Sequence, residues 1–382
     1  MISYGRQSIS RSDIEAVIAC LKSEFLTQGP EVHIFEQKLA HLVEAKHAVA
    51  VNSGTSALHL ACLALGVGPG DSVWTSPITF VASANAALYC GAEIDFVDID
   101  PITNNLCPRA LREKLELAHA SGSLPKIVIP VHLAGHPCDL KAIHELAREF
   151  GFSVIEDAAH ALGSFYDKAP VGNCRYSDIT IFSFHPVKVI TTGEGGAATT
   201  NNPELFRKME QLRSHGITRE PTNFSSKTTP AWGYEQQLLG FNYRLSDLAA
   251  SLGSSQLNRL QSFVSSRRVL AAKYFELLSD TPLELPDSNF LEESAWHLYI
   301  VKLPADENGR DSVFEEMRRR GIGVNLHYPA VHLQPFYRSR GFAEGSFPVA
   351  ESYARRAITL PLHPGLNCED ITKVANVLSE LL

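Results

Sequence analysis

Residues 153–160 read Ser153-Val154-Ile155-Glu156-Asp157-Ala158-Ala159-His160. An apolar, β-branched run stops there on two carboxylates and passes into small residues, the pattern of a buried strand that presents a polar side chain at its carboxyl end. The same device recurs on both sides. Short β-rich runs at His47–Val51, Ser72–Thr75, Glu93–Val97 and Ile127–His132 precede it, and Ile179–Phe184 and Gly196–Thr199 follow. Helix-like stretches at Ser56–Leu65, Phe80–Tyr89, Pro108–Ala118 and Leu140–Phe150 separate them and are long enough for right-handed crossovers. Alternation of this kind predicts an α/β fold built on a mostly parallel sheet of about seven strands, covered on both faces.

Beyond the sheet, Ile217–Trp232 is polar and aperiodic and is expected to be an exposed loop. Ser246–Leu278 carries an apolar series through Leu248, Leu252, Leu257 and Leu260 and predicts one long helix. After Pro286 come a strand at His297–Val301, a helix at Asp311–Arg320, the run Gly323–Tyr328 and a last helix from Asp370 to Leu382. The 382 residues therefore divide into a large domain over 1–250 and a smaller C-terminal α/β domain over 251–382.

A formal charge of -8 argues against a nucleic-acid surface, and no apolar run is long enough to span a membrane. Seven cysteines with no Cys-x-x-Cys pair read as reduced, cytoplasmic usage.

Ligands of open α/β sheets bind beyond the carboxyl ends of the strands. Three such ends carry chemistry. Asn52-Ser53-Gly54-Thr55-Ser56 feeds a helix whose free N–H groups, with the hydroxyls of Thr55 and Ser56, suit a phosphate; an ordinary helix cap is the alternative. Asp157 at an apolar strand end needs a cation such as a protonated pyridine nitrogen, or else it caps a helix while His160 fills the core. Lys188 follows Ser183-Phe184-His185-Pro186-Val187 and precedes Thr191-Thr192-Gly193-Glu194-Gly195-Gly196, where partial desolvation would suit a Schiff-base lysine rather than a solvated surface charge.

These ends, together with Leu26-Thr27-Gln28-Gly29-Pro30, Arg213-Ser214-His215-Gly216 and Phe241-Asn242-Tyr243-Arg244-Leu245-Ser246-Asp247, resemble the DegT/DnrJ/EryC1/StrS sugar-nucleotide aminotransferases along nearly the whole chain. The resemblance implies the aspartate aminotransferase fold (fold type I) and pyridoxal 5'-phosphate as cofactor. It further implies that Lys188 forms the internal aldimine, Asp157 holds the pyridine nitrogen, and Thr55, Ser56 and Ser183 bind the phosphate. Phe80 is expected against the ring, His160 near its edge, and Asn242 on the phosphate of the neighbouring subunit in a homodimer with shared sites. Tyr4, Arg213, His327 and Tyr328 are the candidate substrate contacts.

Val324-Asn325-Leu326-His327-Tyr328-Pro329 and the segment around Lys188 look most like the pseudaminic acid branch. That implies transfer from L-glutamate to C4 of a UDP-linked 4-keto-6-deoxy-N-acetylhexosamine, giving UDP-4-amino-4,6-dideoxy-N-acetyl-β-L-altrosamine. Another nucleotide-linked keto sugar, aminated at C3 or C4, is the main alternative. In the related dehydratases histidine replaces the lysine, so Lys188 argues against that activity. A metal-binding or ligand-binding regulatory protein is a further reading, since His132-Leu133-Ala134-Gly135-His136 brings two histidines to one loop, without an evident acidic third ligand.

Overall fold

The computed structural model describes residues 1–225, 232–304 and 309–382. Its centre is a seven-stranded sheet ordered His47–Val51, Gly196–Thr200, Ile179–Ser183, Ser153–Asp157, Ile127–Ile129, Ser72–Thr75 and Glu93–Phe96. Six strands run in one direction; Gly196–Thr200 runs against both of its neighbours. The near-continuous apolar strands follow from cover on both faces. Ile127, Ile129, Ile155, Ile179 and Ile181 join one core cluster, whereas the alternate residues Val128, Val154 and Phe182 join clusters on the other side.

Helix starts are fixed locally. The Ser53 hydroxyl accepts from the Ser56 N–H at the head of Gly54–Ala64, and Ser246 caps Asp247–Leu257 in the same way. Gly196 lies beneath the first of these helices: a Cβ there would sit 2.5 Å from the Ser53 carbonyl oxygen, so only glycine lets the turn pack onto the strand.

Three expectations are corrected. Ser246–Leu278 is two helices, Asp247–Leu257 and Leu260–Leu278. The break falls where Arg259 turns aside to bind the Asp13 carboxylate and, at 2.7 Å, the Ser8 carbonyl. The predicted strand at His297–Val301 is Tyr299–Lys302, because Trp296 takes a left-handed conformation (φ 48°) and swings His297 out of register. Within the expected loop, Ile217–Thr218 pairs with Glu235–Gln236 in a short ribbon, and Pro221–Asn223 forms one 3-10 turn. Residues 226–231 of that loop lie outside the described residues.

A further core gathers Leu270, Tyr274, Trp296, Tyr299, Ile322, Ile358 and Leu378, with Ile2 packed against it. Strand Tyr299–Lys302 pairs antiparallel with Ala357–Leu360. The N-terminal strand-like segment joins this unit: the Gly323 N–H donates to the Ile2 carbonyl at 2.6 Å, and the Leu362 N–H to that of Tyr4 at 3.1 Å. Tyr4 is thereby carried to the sheet's carboxyl edge. Among the described residues no helix is long and apolar enough to cross a membrane.

Candidate active site

A cleft of about 460 Å³ opens at the carboxyl ends of the strands. Its walls bring together Tyr4, Thr55, Phe80, Asp157, His160, Ser183, Lys188, His327 and Tyr328, nine of the residues singled out from the sequence. Ser56, Arg213 and Asn242 are not among its lining residues.

At one end is a cup of donors. The Ser56 N–H is taken by Ser53, which leaves Gly54 and Thr55 with N–H groups of a helix start that are unpaired among the described residues. The hydroxyls of Thr55 and Ser183 line the same space, and neither bonds to another described residue. A Cβ on Gly54 would approach Ser183 Cβ to 3.0 Å, so glycine keeps the two walls close. Ser56 itself turns away: its hydroxyl donates to Asn52 Oδ1 at 2.7 Å.

At the other end Asp157 is buried, and two donors hold its carboxylate. Ser83 donates to Oδ2 at 2.6 Å and the Ala159 N–H to Oδ1 at 3.1 Å. Thr79 in turn lies 2.7 Å from the Ser83 hydroxyl. Sequence reasoning missed Ser83 and Thr79; the available signal was a lone hydroxyl on an alanine-rich helix, Ala82-Ser83-Ala84. Lys188 Nζ has no ion pair or hydrogen bond among the described residues. Burial brings its pKa down to about 8, against an opposing pull from Asp157.

Two histidines of the opposite wall are held neutral. Burial, then the charge of Lys188, pushes His327 down to about 3, and the same causes put His160 well below the usual histidine range. His160 Nδ1 accepts the Ala134 N–H at 3.2 Å, and its Nε2 lies 3.1 Å from the Tyr328 hydroxyl. His297, which the sequence did not flag, lies against His160 with ring centroids 4.4 Å apart. Phe80 is 58% exposed, so its face is available to a bound ring.

Arg213 lies elsewhere, on a separate open cavity of about 700 Å³. Its guanidinium pairs with Glu36 and donates to the Ala50 carbonyl at 2.8 Å. Asn242 is exposed, and its carbonyl accepts from Asn52 Nδ2 at 3.5 Å. His132 and His136 do not converge. His132 Nε2 donates to Glu156 at 2.9 Å while its Nδ1 accepts the Cys138 N–H, and His136 is stacked on Phe290. The described residues contain no group of three or more potential metal ligands.

A phosphate cup, a buried carboxylate and a desolvated lysine, with an aromatic wall, suit the phosphate, the ring nitrogen and the aldehyde of pyridoxal phosphate. The fold and this site define a fold-type I, pyridoxal-phosphate-dependent aminotransferase. The chain belongs to the DegT/DnrJ/EryC1/StrS aminotransferase family, whose profile matches residues 7–379. The spore coat polysaccharide biosynthesis protein SpsC of Bacillus subtilis is 37% identical, the match covering 100% of this chain and 97% of that protein. The UDP-4-amino-4,6-dideoxy-N-acetyl-beta-L-altrosamine transaminase of Campylobacter jejuni is 36% identical, with 100% and 98% covered. Among solved structures, Helicobacter pylori PseC, an aminotransferase of pseudaminic acid biosynthesis, superposes with a TM-score of 0.91 at 30% identity, covering 100% of this chain and 98% of that one. A sugar aminotransferase from Streptococcus pneumoniae, solved in its PLP form, gives 0.89 at 29% identity, with 100% and 98% covered.

Proposed function

We propose that this sugar aminotransferase moves the amino group of L-glutamate to C4 of a UDP-linked 4-keto-6-deoxy-N-acetylhexosamine, yielding UDP-4-amino-4,6-dideoxy-N-acetyl-β-L-altrosamine for pseudaminic acid biosynthesis. The observation that carries the chemistry is the joint exposure of Lys188 and Asp157 to one cleft with the donor cup of Gly54, Thr55 and Ser183. The whole-length likeness to the Campylobacter transaminase supports the choice of sugar.

Pyridoxal phosphate, when bound, supplies an aldehyde and an electron-withdrawing ring. Gly54, Thr55 and Ser183 would hold the phosphate. Asp157 would keep a proton on the ring nitrogen, and Phe80 would cover one ring face. Lys188 is the amine that would meet the aldehyde. Its lowered pKa lets both forms coexist near neutrality, so it would move the Cα proton of glutamate as base and acid. On the sugar it delivers a proton to C4 from its own side of the cleft, which sets the configuration. The active unit is proposed to be a cytoplasmic homodimer, each subunit lending Asn242 to its partner's phosphate site.

One observation favours a second reading: SpsC, named for spore coat polysaccharide biosynthesis, is as similar as the altrosamine enzyme. Another nucleotide-linked keto sugar, aminated at C3 or C4, is the competing substrate. Incubation with glutamate and a panel of nucleotide 4-keto and 3-keto sugars, followed by mass spectrometry of the products, tests both. Amination of the UDP-linked 4-keto-6-deoxy-N-acetylhexosamine is expected; preference for a different panel member would replace this substrate.

A further inference from the structure

The hydrogen bonds around His160 have a fixed direction. A backbone N–H can only donate, so the contact from Ala134 N to His160 Nδ1 at 3.2 Å makes Nδ1 the acceptor. The neutral ring must then carry its proton on Nε2. That proton points at the Tyr328 hydroxyl oxygen 3.1 Å away, which accepts it. Tyr328 therefore cannot donate to His160, and its hydroxyl has no other partner among the described residues. Its own proton is free to point into the cleft it lines.

The surroundings hold this arrangement. Ala134 sits in the left-handed region (φ 61°, ψ 0°), a costly conformation for a residue with a side chain, and it is this conformation that presents its N–H to the imidazole. The loop is pressed onto the histidine: a Cβ on Gly135, itself at φ 98°, would come within 2.9 Å of the His160 carbonyl oxygen. The Tyr328 ring lies between Phe80 and His160, with centroid distances of 6.1 and 6.0 Å. Burial, with Asp157 and Tyr4 adding to it, raises the phenol's pKa and keeps the proton on oxygen.

We propose that Tyr328 is the terminal donor of a one-way chain, Ala134 N–H to His160 to Tyr328, that recognises an acceptor oxygen in the cleft, on either the cofactor ring or the keto sugar. Such a chain makes Tyr328 selective for a carbonyl or anionic oxygen and unsuited to act as a base, because no lone pair of His160 is available to take its proton.

The sugar arm of the test rests on the substrate reading above; the other arms do not. In wild-type holoenzyme, two-bond nitrogen–proton correlations of ¹⁵N-labelled histidine should assign the His160 proton to Nε2. A proton on Nδ1 would overturn the proposal. In Tyr328→Phe, whose ring and packing are retained, thermal unfolding should change little. If the acceptor is the cofactor's ring oxygen, the visible absorption band should titrate at higher pH than in wild type. If it is the sugar, the band should titrate as in wild type and the glutamate half-reaction should keep its rate, while single turnover with the UDP-linked 4-keto sugar slows roughly tenfold. Failure of wild type itself to aminate that sugar refutes the substrate reading alone, and the spectral and nitrogen arms then decide. An unchanged band with an unchanged sugar half-reaction would refute the donor role.

Discussion

The Ser83 hydroxyl donates to Oδ2 of Asp157 across 2.6 Å, and both residues are buried. A short charge-assisted bond of this kind fixes one carboxylate oxygen, while the Ala159 N–H fixes the other at 3.1 Å. Asp157 thus meets a bound ring with its orientation already set. Ser83→Ala removes one of two supports and should weaken pyridoxal phosphate binding roughly tenfold, as read by titrating the apoenzyme and following tryptophan quenching. Thr79 would lose its partner as well. Unchanged affinity would mean that Ser83 only fills its helix.

Lys188 predicts a pH dependence of stability in the cofactor-free protein. Burial holds its pKa at about 8, against about 10.4 for a lysine in the unfolded chain. Between those values the unfolded chain binds more protons, so stability rises with pH across that window; below it, the full cost of burying the charge remains. Lys188→Met apoprotein should melt at a higher temperature than wild-type apoprotein at neutral pH, and the gap should close as pH rises through the window. A gap of constant size would assign the effect to methionine packing. Borohydride reduction of the wild-type holoenzyme should tag the peptide containing Lys188, with no tag in the variant.

Arg267 is fully buried and, among the described residues, unmatched by any carboxylate; it donates to the carbonyls of Trp296, His297 and Leu362 at 3.2, 3.0 and 2.8 Å. Burial lowers its pKa to about 10, which leaves it charged at neutral pH. It ties helix Leu260–Leu278 to the loop that carries His297 into the cleft and to the segment that pairs with Tyr4. Arg267→Met leaves buried carbonyls unpaired and should destabilise the protein by about 3 kcal/mol in urea unfolding. A loss below about 1 kcal/mol would mean that water replaces the guanidinium.

Legibility from sequence divided along a physical line. Asp157 and Lys188 announce themselves because an apolar strand that stops on a charge violates the economy of burial, and that violation is local. Ser83 does not: its partner is 74 positions away, and a serine among alanines has no period of its own. Arg213, at a helix end beside Ser214-His215-Gly216, reads as an available cation, yet Glu36, 177 positions earlier, claims it. The antiparallel course of Gly196–Thr200 and the break at Arg259 were hidden for the same reason, since strand direction and helix termination there are set by distant partners. Tyr4 reaches the cleft only because residues 2–4 are bonded to the far end of the chain.

The remaining prediction concerns Asn242. Its side chain is exposed and its subunit's own cleft is lined without it, although its carbonyl meets Asn52 beside the helix start that forms the phosphate cup. A side chain so close to the cup and yet outside it is available to a second copy of the chain. If Asn242 serves the partner's phosphate, a Lys188→Ala subunit still offers an intact Asn242, and an Asn242→Ala subunit still offers an intact Lys188. Each mutant homodimer is then impaired at both of its sites. Exchange of subunits between the two creates heterodimers in which one site carries both defects and the other carries neither, so activity should rise toward about half of wild type per heterodimer. The increase must track the heterodimer fraction measured by native mass spectrometry. Verified exchange with no activity above the single mutants would assign Asn242 to its own subunit or to no site at all.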